Sequence, residues 1–120
     1  MMPSLRNIAL AAFAVATCSL SAPSRAQDVQ QGRDLFLRKD KGNCGACHQV
    51  PSDPAVTSRA TVGPALANVR ERLPDRVALR AMLVDPMQRN PATLMPPYGK
   101  HQILTPAEIE RVLDYVHAIR

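Results

Sequence analysis

The 120-residue chain is poor in the side chains from which small domains build an apolar core. It has no tryptophan, and only two phenylalanines and two tyrosines. A domain of this size with so few large apolar groups rarely forms a sufficient core unaided. The composition therefore predicts that something other than side chains fills part of the interior.

The chain also lacks an apolar run long enough to span a membrane. The run Ile8–Leu20 is shorter than the roughly 20 residues that a spanning helix needs. Arg6 precedes this run, and Ser24-Arg25-Ala26 follows it with a small-x-small pattern, so residues 1–26 indicate a secretion signal. We expect cleavage after Ala26 and a periplasmic protein.

Two alternatives for this segment stay open. Cys18 could be the lipidated cysteine of a lipoprotein, although Thr17 is a poor residue before such a cysteine. The apolar run could also remain as an uncleaved anchor. With cleavage, residues 27–120 form one small domain of 94 residues, which is 120 minus the 26 removed.

The basic charge is weak evidence for nucleic-acid binding. Arg6 and Arg25 leave with the signal, so 13 basic against 10 acidic residues give the mature chain a charge of +3. It has neither interleaved aromatic residues nor a basic block. Four arginines share one stretch that faces either water or an acidic partner, namely Arg70, Arg72, Arg76 and Arg80.

What the chain does have is the motif Cys44-Gly45-Ala46-Cys47-His48, the attachment signature of a c-type haem. On one helical turn, the two sulfurs can form thioethers to adjacent edges of a porphyrin, and His48 then lies beneath the iron. Gly45 and Ala46 are small enough to let the backbone approach the ring. The sequence thus predicts one covalent haem c, which would also supply the missing apolar bulk.

Three other readings of the motif compete with haem. A structural zinc site would need a second pair of Cys or His ligands, and the only other histidines are His101 and His117. A thioredoxin-like redox pair would follow a strand in a βαβ unit, and the residues before Cys44 lack that pattern. A disulfide across so short a loop would be strained and would stabilise little.

A second iron ligand is predicted in the irregular stretch from Met87 to Lys100. Met95 precedes two prolines, which keep it out of helical geometry and make its loop rigid. Such a loop can present a thioether to the iron from the face opposite His48, and methionine raises the haem potential relative to a second histidine. Met87, His101 and an open position remain alternatives.

The turn Val62-Gly63-Pro64 lies between the haem motif and the next helix. Its Pro64 carbonyl is our candidate acceptor for the other N–H of the His48 imidazole. The alternative is an ordinary turn that opens a helix.

Three helices are predicted around irregular connections such as Gln49 to Thr61. The first covers Val29 to about Arg38 with Asp28 as its cap, and its Gly32 suggests close approach of another helix. The second covers Pro74–Val84. Pro74 or Asp75 begins this helix, and Asp85-Pro86 ends it. Its apolar positions recur at helical spacing and are Val77, Leu79, Met82 and Leu83. We assign Met82 to the core.

The third helix follows Thr105-Pro106-Ala107-Glu108, a capping box. We expect Tyr115 on this helix to meet Gly32 or Phe36, and His117 to be exposed. Its apolar face comprises Ile109, Val112, Leu113, Val116 and Ile119.

Together these features resemble class I cytochrome c over essentially the whole mature chain. The resemblance implies an all-α fold in which helices and loops wrap around one covalently bound haem. At finer grain the chain resembles the SoxX family, monohaem subunits of the SoxAX cytochromes of bacterial thiosulfate oxidation. The segments that carry this resemblance are Gly42-Asn43-Cys44, Asp75-Arg76 through Asp85-Pro86, Asn90 through His101, and Ile103-Leu104-Thr105.

By this resemblance, Cys44 and Cys47 would hold the porphyrin, and His48 and Met95 would ligate the iron. The partner would be a SoxA-like dihaem or monohaem cytochrome that carries the catalytic haem and its cysteine ligand. The complex, an L-cysteine S-thiosulfotransferase, would join thiosulfate oxidatively to a carrier-protein cysteine. This subunit would pass electrons to a downstream cytochrome. Tyr98 stands where the family more often has phenylalanine.

Two other functions stay open at this point. A free-standing periplasmic cytochrome c shuttle would bury far less surface with its partners than a subunit does. A haem-based gas or redox sensor would need an open or labile sixth position. No paired acids, activated serine or spare cysteine of the mature chain suggests a catalytic site of its own.

Overall fold

The computed structural model describes residue 22 and residues 24–120. Within this part the chain forms four α-helices and two 3₁₀ turns, and no strand. The helices are α1 (Arg25–Leu37), α2 (Val69–Arg72), α3 (Arg76–Val84) and α4 (Pro106–Ala118), and the turns are Cys44–Ala46 and Pro86–Gln88. The predicted all-α class is confirmed, whereas the secretion signal with Cys18 falls almost entirely outside the described residues.

Helix α1 begins earlier than predicted from the sequence. The N-cap is Ser24, whose backbone N–H donates to the Gln27 side-chain oxygen at 2.8 Å. The predicted cap, Asp28, instead lies in the first turn of the helix. That assignment is wrong for the uncleaved chain, because Ser24, which precedes the expected cleavage site, forms a capping box with Gln27 one turn earlier.

Helices α1 and α4 meet at Gly32. A Cβ at this position would lie 1.9 Å from the Arg111 carbonyl oxygen and 2.9 Å from the Tyr115 Cβ. The Phe36 and Tyr115 rings pack edge to face with centroids 5.3 Å apart. The predicted close approach at Gly32 and the predicted contact of Tyr115 are therefore confirmed.

Helix α3 matches its prediction at both ends but not on every face. Asp75 is the N-cap and accepts from the Val77 N–H at 2.8 Å, and the helix ends before Asp85. Leu79 and Leu83 are buried, whereas Val77 is 67% exposed. Its assignment to the apolar face is wrong, because two residues of helix place it nearly opposite Leu79.

Helix α4 forms as predicted. Glu108 donates its N–H to Thr105 Oγ1 at 3.2 Å, and Thr105 donates its own to Glu108 Oε2 at 2.8 Å, so the capping box is present. All five residues of the predicted apolar face are buried, including Ile119, the C-cap of the helix. No helix within the described residues is long and apolar enough to cross a membrane.

Asp53 attaches the irregular stretch after the haem motif to two helices. Its carboxylate accepts two bonds of 2.6 Å from the Arg33 guanidinium and one of 2.7 Å from the Tyr115 hydroxyl. These bonds, that of Arg33 above all, hold the pKa of Asp53 well below its usual range. One side chain thus ties this loop to both α1 and α4.

Two of the four clustered arginines form ion pairs with acidic residues of this chain, so the cluster does not present four unpaired positive charges. Arg76 lies 2.8 Å from Asp114, and Arg80 lies 2.7 Å from Glu110. Both ion pairs join α3 to α4. The other two arginines, Arg70 and Arg72, lie in α2.

His117 differs from its prediction as an exposed residue. It is half-buried, and its Nε2 is buried without a hydrogen-bond partner among the described residues. The expectation is wrong because α4 stays packed up to Ile119, which is itself buried.

Candidate haem site

The haem motif lies on a single tight turn. Cys44–Ala46 form a 3₁₀ turn, and the Cys44 carbonyl accepts from the N–H groups of Cys47 at 3.1 Å and His48 at 2.9 Å. Asn43 precedes the turn in the left-handed conformation, which asparagine adopts more readily than most residues. Both cysteines and the histidine are therefore presented from one short, hydrogen-bonded segment.

The imidazole of His48 is oriented by the turn that follows the loop. Its Nδ1 lies 2.7 Å from the Pro64 carbonyl oxygen, and Gly63 donates its N–H to the Cys47 carbonyl at 2.9 Å. A carbonyl can only accept, so Nδ1 carries the proton and Nε2 keeps its lone pair for a metal. The predicted Pro64 contact is confirmed.

Gly63 lies directly against the His48 ring, which makes it a test of this arrangement. A Cβ on Gly63 would lie 2.4 Å from His48 Cε1 and 2.7 Å from Nδ1. We expect Gly63→Ala to push the ring away from Pro64 and to lower the stability of the haem-loaded protein by about 2 kcal/mol, as overpacking does. Urea unfolding, followed by the haem absorbance, measures this change.

The matched control is Gly45→Ala, at a glycine within the motif itself. A Cβ there would meet its nearest neighbours at 3.8 Å, which is ordinary van der Waals contact. Equal stability of the two alanine variants would contradict the positioning of His48 by Gly63 and Pro64.

A cavity of about 640 Å³ opens beside the motif. Its volume lies within the roughly 300–1,000 Å³ of cofactor and ligand sites. Cys44, Cys47, His48 and Met95 all line it, and most of the other lining side chains are apolar. The structure thus brings the four sequence-predicted site residues to one cavity.

The two rivals of Met95 do not line this cavity. Met87 is 42% exposed and His101 is also exposed. Met82, assigned to the core from its helical spacing, does line the cavity together with Leu79. Met82 is therefore the methionine against which Met95 has to be tested.

Tyr98 connects the methionine segment to Gly42, two residues before the haem motif, and the sequence did not indicate this contact. It is buried, lines the cavity, and donates its hydroxyl proton to the Gly42 carbonyl at 2.9 Å. Burial raises the pKa of this hydroxyl, so it stays protonated as a donor. The partner is a backbone atom 56 residues away, which no local pattern indicates.

The structure disfavours the other readings of the motif. No disulfide joins Cys44 to Cys47, and burial raises the pKa of the Cys44 thiol to about 11, whereas redox-active thiols have a lowered pKa. No group of three or more His, Cys, Asp or Glu side chains within residues 24–120 could hold a metal ion such as zinc. Residues 24–120 form no strand, so their helical setting is also not that of a thioredoxin-like pair.

These residues fit a covalently attached porphyrin. Two thiols and an imidazole come from one turn, a thioether comes from a second segment, and the surface between them is mainly apolar. Arg72 and Arg89 also line the cavity, although no pattern in the sequence indicates them as site residues.

Comparison with known proteins agrees with this site. An uncharacterized lipoprotein of Aquifex aeolicus (strain VF5) is 32% identical over 77 residues, which is 64% of this chain. The alignment covers 36% of that protein, so the chain spans about a third of its relative. The family model for cytochrome c matches residues 29–120. The chain therefore belongs to the cytochrome c family, whose members are all-α electron-transfer proteins with covalently bound haem c.

Proposed function

We propose that the chain is a periplasmic monohaem cytochrome c, with haem held by Cys44 and Cys47 and iron ligated by His48 and Met95. The observation that carries this proposal is that all four side chains line the same cavity. The bound haem would supply one-electron oxidation and reduction.

The protein's own residues set the conditions for electron transfer. Pro64 accepts from His48 Nδ1–H, which fixes the ring and makes Nε2 a stronger donor. The apolar lining excludes water, and exclusion of water is one of the terms that set a haem potential. Met95 contributes a neutral sulfur ligand, which favours the reduced state relative to a second histidine.

Replacing Met95 tests the ligand assignment. Met95→Leu keeps the apolar volume but removes the sulfur, so we expect the spectrum of methionine-ligated low-spin haem to disappear and the potential to fall. Met82→Leu is the matched control, because it removes the other cavity-lining thioether. Loss of the methionine spectrum in Met82→Leu, with Met95→Leu unchanged, would show that the assignment is wrong.

We further propose that the chain is the SoxX-type subunit of a SoxAX complex that oxidises thiosulfate. The support is the run from Asn90 to His101, which resembles that family and includes Leu94, an apolar residue at the haem cavity. The partner that this resemblance implies is a SoxA-like cytochrome.

Co-purification with a SoxA-like dihaem or monohaem cytochrome of the same organism tests this partner. We expect a heterodimer, and we expect Leu94→Asp to weaken it roughly tenfold while the haem absorbance stays unchanged, because it places a charge in an apolar contact. Val77→Asp is the control, since Val77 is 67% exposed but does not line the cavity. A chain that stays monomeric, and whose deletion leaves thiosulfate oxidation unchanged, would favour the free-standing shuttle.

We also propose export from the cytoplasm. The apolar run Ile8–Leu20 supports it, and the Aquifex relative is named a lipoprotein, which fits an exported protein. The mass of the mature protein distinguishes cleavage after Ala26 from lipidation at Cys18.

A further inference from the structure

The segment that carries Met95 is closed at its base. Helix α3 ends at Val84, and the Val84 carbonyl accepts from the Lys100 N–H at 3.0 Å, on the far side of the segment. Gly99 lies against Val84 so closely that a Cβ would come within 3.0 Å of its Cα. Residues 86–99 therefore form a loop whose two ends touch.

A buried charge reinforces this closure. Asp85 is only 6% exposed, and its Oδ2 accepts from Lys100 Nζ at 2.9 Å and from the Gln88 amide at 3.3 Å. Its Oδ1 is buried without a hydrogen-bond partner among the described residues. A buried carboxylate is unfavourable unless it is paired, so the charge of Asp85 depends mainly on Lys100.

Most of the remaining hydrogen bonds of the loop are internal. Asn90 donates to the Pro86 carbonyl at 3.0 Å, Thr93 to the Asn90 carbonyl at 3.0 Å, and Met95 to Thr93 Oγ1 at 3.1 Å. The loop is thus held mainly by its own hydrogen bonds, and Tyr98 attaches it to Gly42, two residues before the haem motif. Its position, and with it the position of Met95, is set by Tyr98 and by its closed base.

We propose that Asp85 and Lys100 form a clasp that positions Met95 as an iron ligand. Both are positioning residues that act through the loop. Opening the clasp gives the loop freedom to move Met95 out of the cavity, so the iron–sulfur contact becomes easier to displace. This inference rests on the proposed ligation by Met95.

The test is displacement of the methionine by added imidazole in the ferric, haem-loaded protein, followed as loss of the methionine-ligated spectrum. Lys100→Ala leaves Asp85 buried and unpaired, so we expect displacement to become roughly tenfold faster, the effect of losing one charge-assisted hydrogen bond. Lys100→Arg keeps the pair and should retain the original rate. Lys39→Ala, at an exposed lysine outside the loop, is the control.

The double variant Asp85→Asn/Lys100→Ala separates the open clasp from the effect of an unpaired buried charge. It removes the charge but leaves the clasp open, so its displacement rate should stay well above that of wild type, and a wild-type rate in this variant would overturn the clasp. A wild-type rate in Lys100→Ala, with methionine ligation intact, would overturn the clasp and leave the ligand assignment standing. Wild-type protein without methionine ligation would overturn both.

Discussion

Serine at both Cys44 and Cys47 is expected to give a chain without covalent haem and without a stable fold. The two thiols are the attachment points of the cofactor, and they line a cavity of about 640 Å³. Without haem, the apolar lining of this cavity stays in contact with water instead of being buried. A small domain has a free energy of unfolding of only about 5–15 kcal/mol, so it cannot lose this burial and keep its fold.

The measurement is haem absorbance and circular dichroism of the double variant, expressed in cells that mature c-type cytochromes. Cys18→Ser is the matched control, because Cys18 precedes the proposed cleavage site and should leave haem attachment unchanged. A helical, cooperatively unfolding double variant without haem would contradict the view that the cofactor completes the core.

Gly32→Ala is expected to destabilise the haem-loaded protein by at least about 3 kcal/mol. Helix propensity alone predicts the opposite sign, since alanine is about 1 kcal/mol better than glycine inside a helix. The added Cβ, however, would lie 1.9 Å from the Arg111 carbonyl oxygen, and a backbone atom can yield only if α1 and α4 separate. Their separation would also disturb the contact of Phe36 with Tyr115.

Urea unfolding of the holo-protein measures this change, and Gln31→Ala is the control. Gln31 is the preceding residue on α1 and is exposed, so alanine there removes no close contact. A Gly32→Ala protein as stable as wild type would mean that α1 and α4 do not approach closely at this position.

Features fixed by short-range chemistry could be predicted from the sequence. The haem motif is five consecutive residues, the capping box of α4 is four, and the Asp85-Pro86 pair ends α3 by local sterics. The Pro64 carbonyl could also be predicted, because a haem histidine needs an acceptor and a Gly-Pro turn offers one.

Features that depend on distant partners could not be predicted. The Tyr98 bond to Gly42 and the Arg33–Asp53 pair join residues 56 and 20 positions apart. The half-buried position of His117 likewise follows from packing of the last turn of α4. Local periodicity carries no information about such contacts, because they are set by how the helices meet.

The most direct test of the account is to denature the purified protein in acid and organic solvent and to follow the visible absorbance. The account predicts that the haem spectrum stays with the polypeptide, and that the intact mass exceeds that of the chain by one haem. A colourless polypeptide, from cells shown to mature other c-type cytochromes, would contradict it.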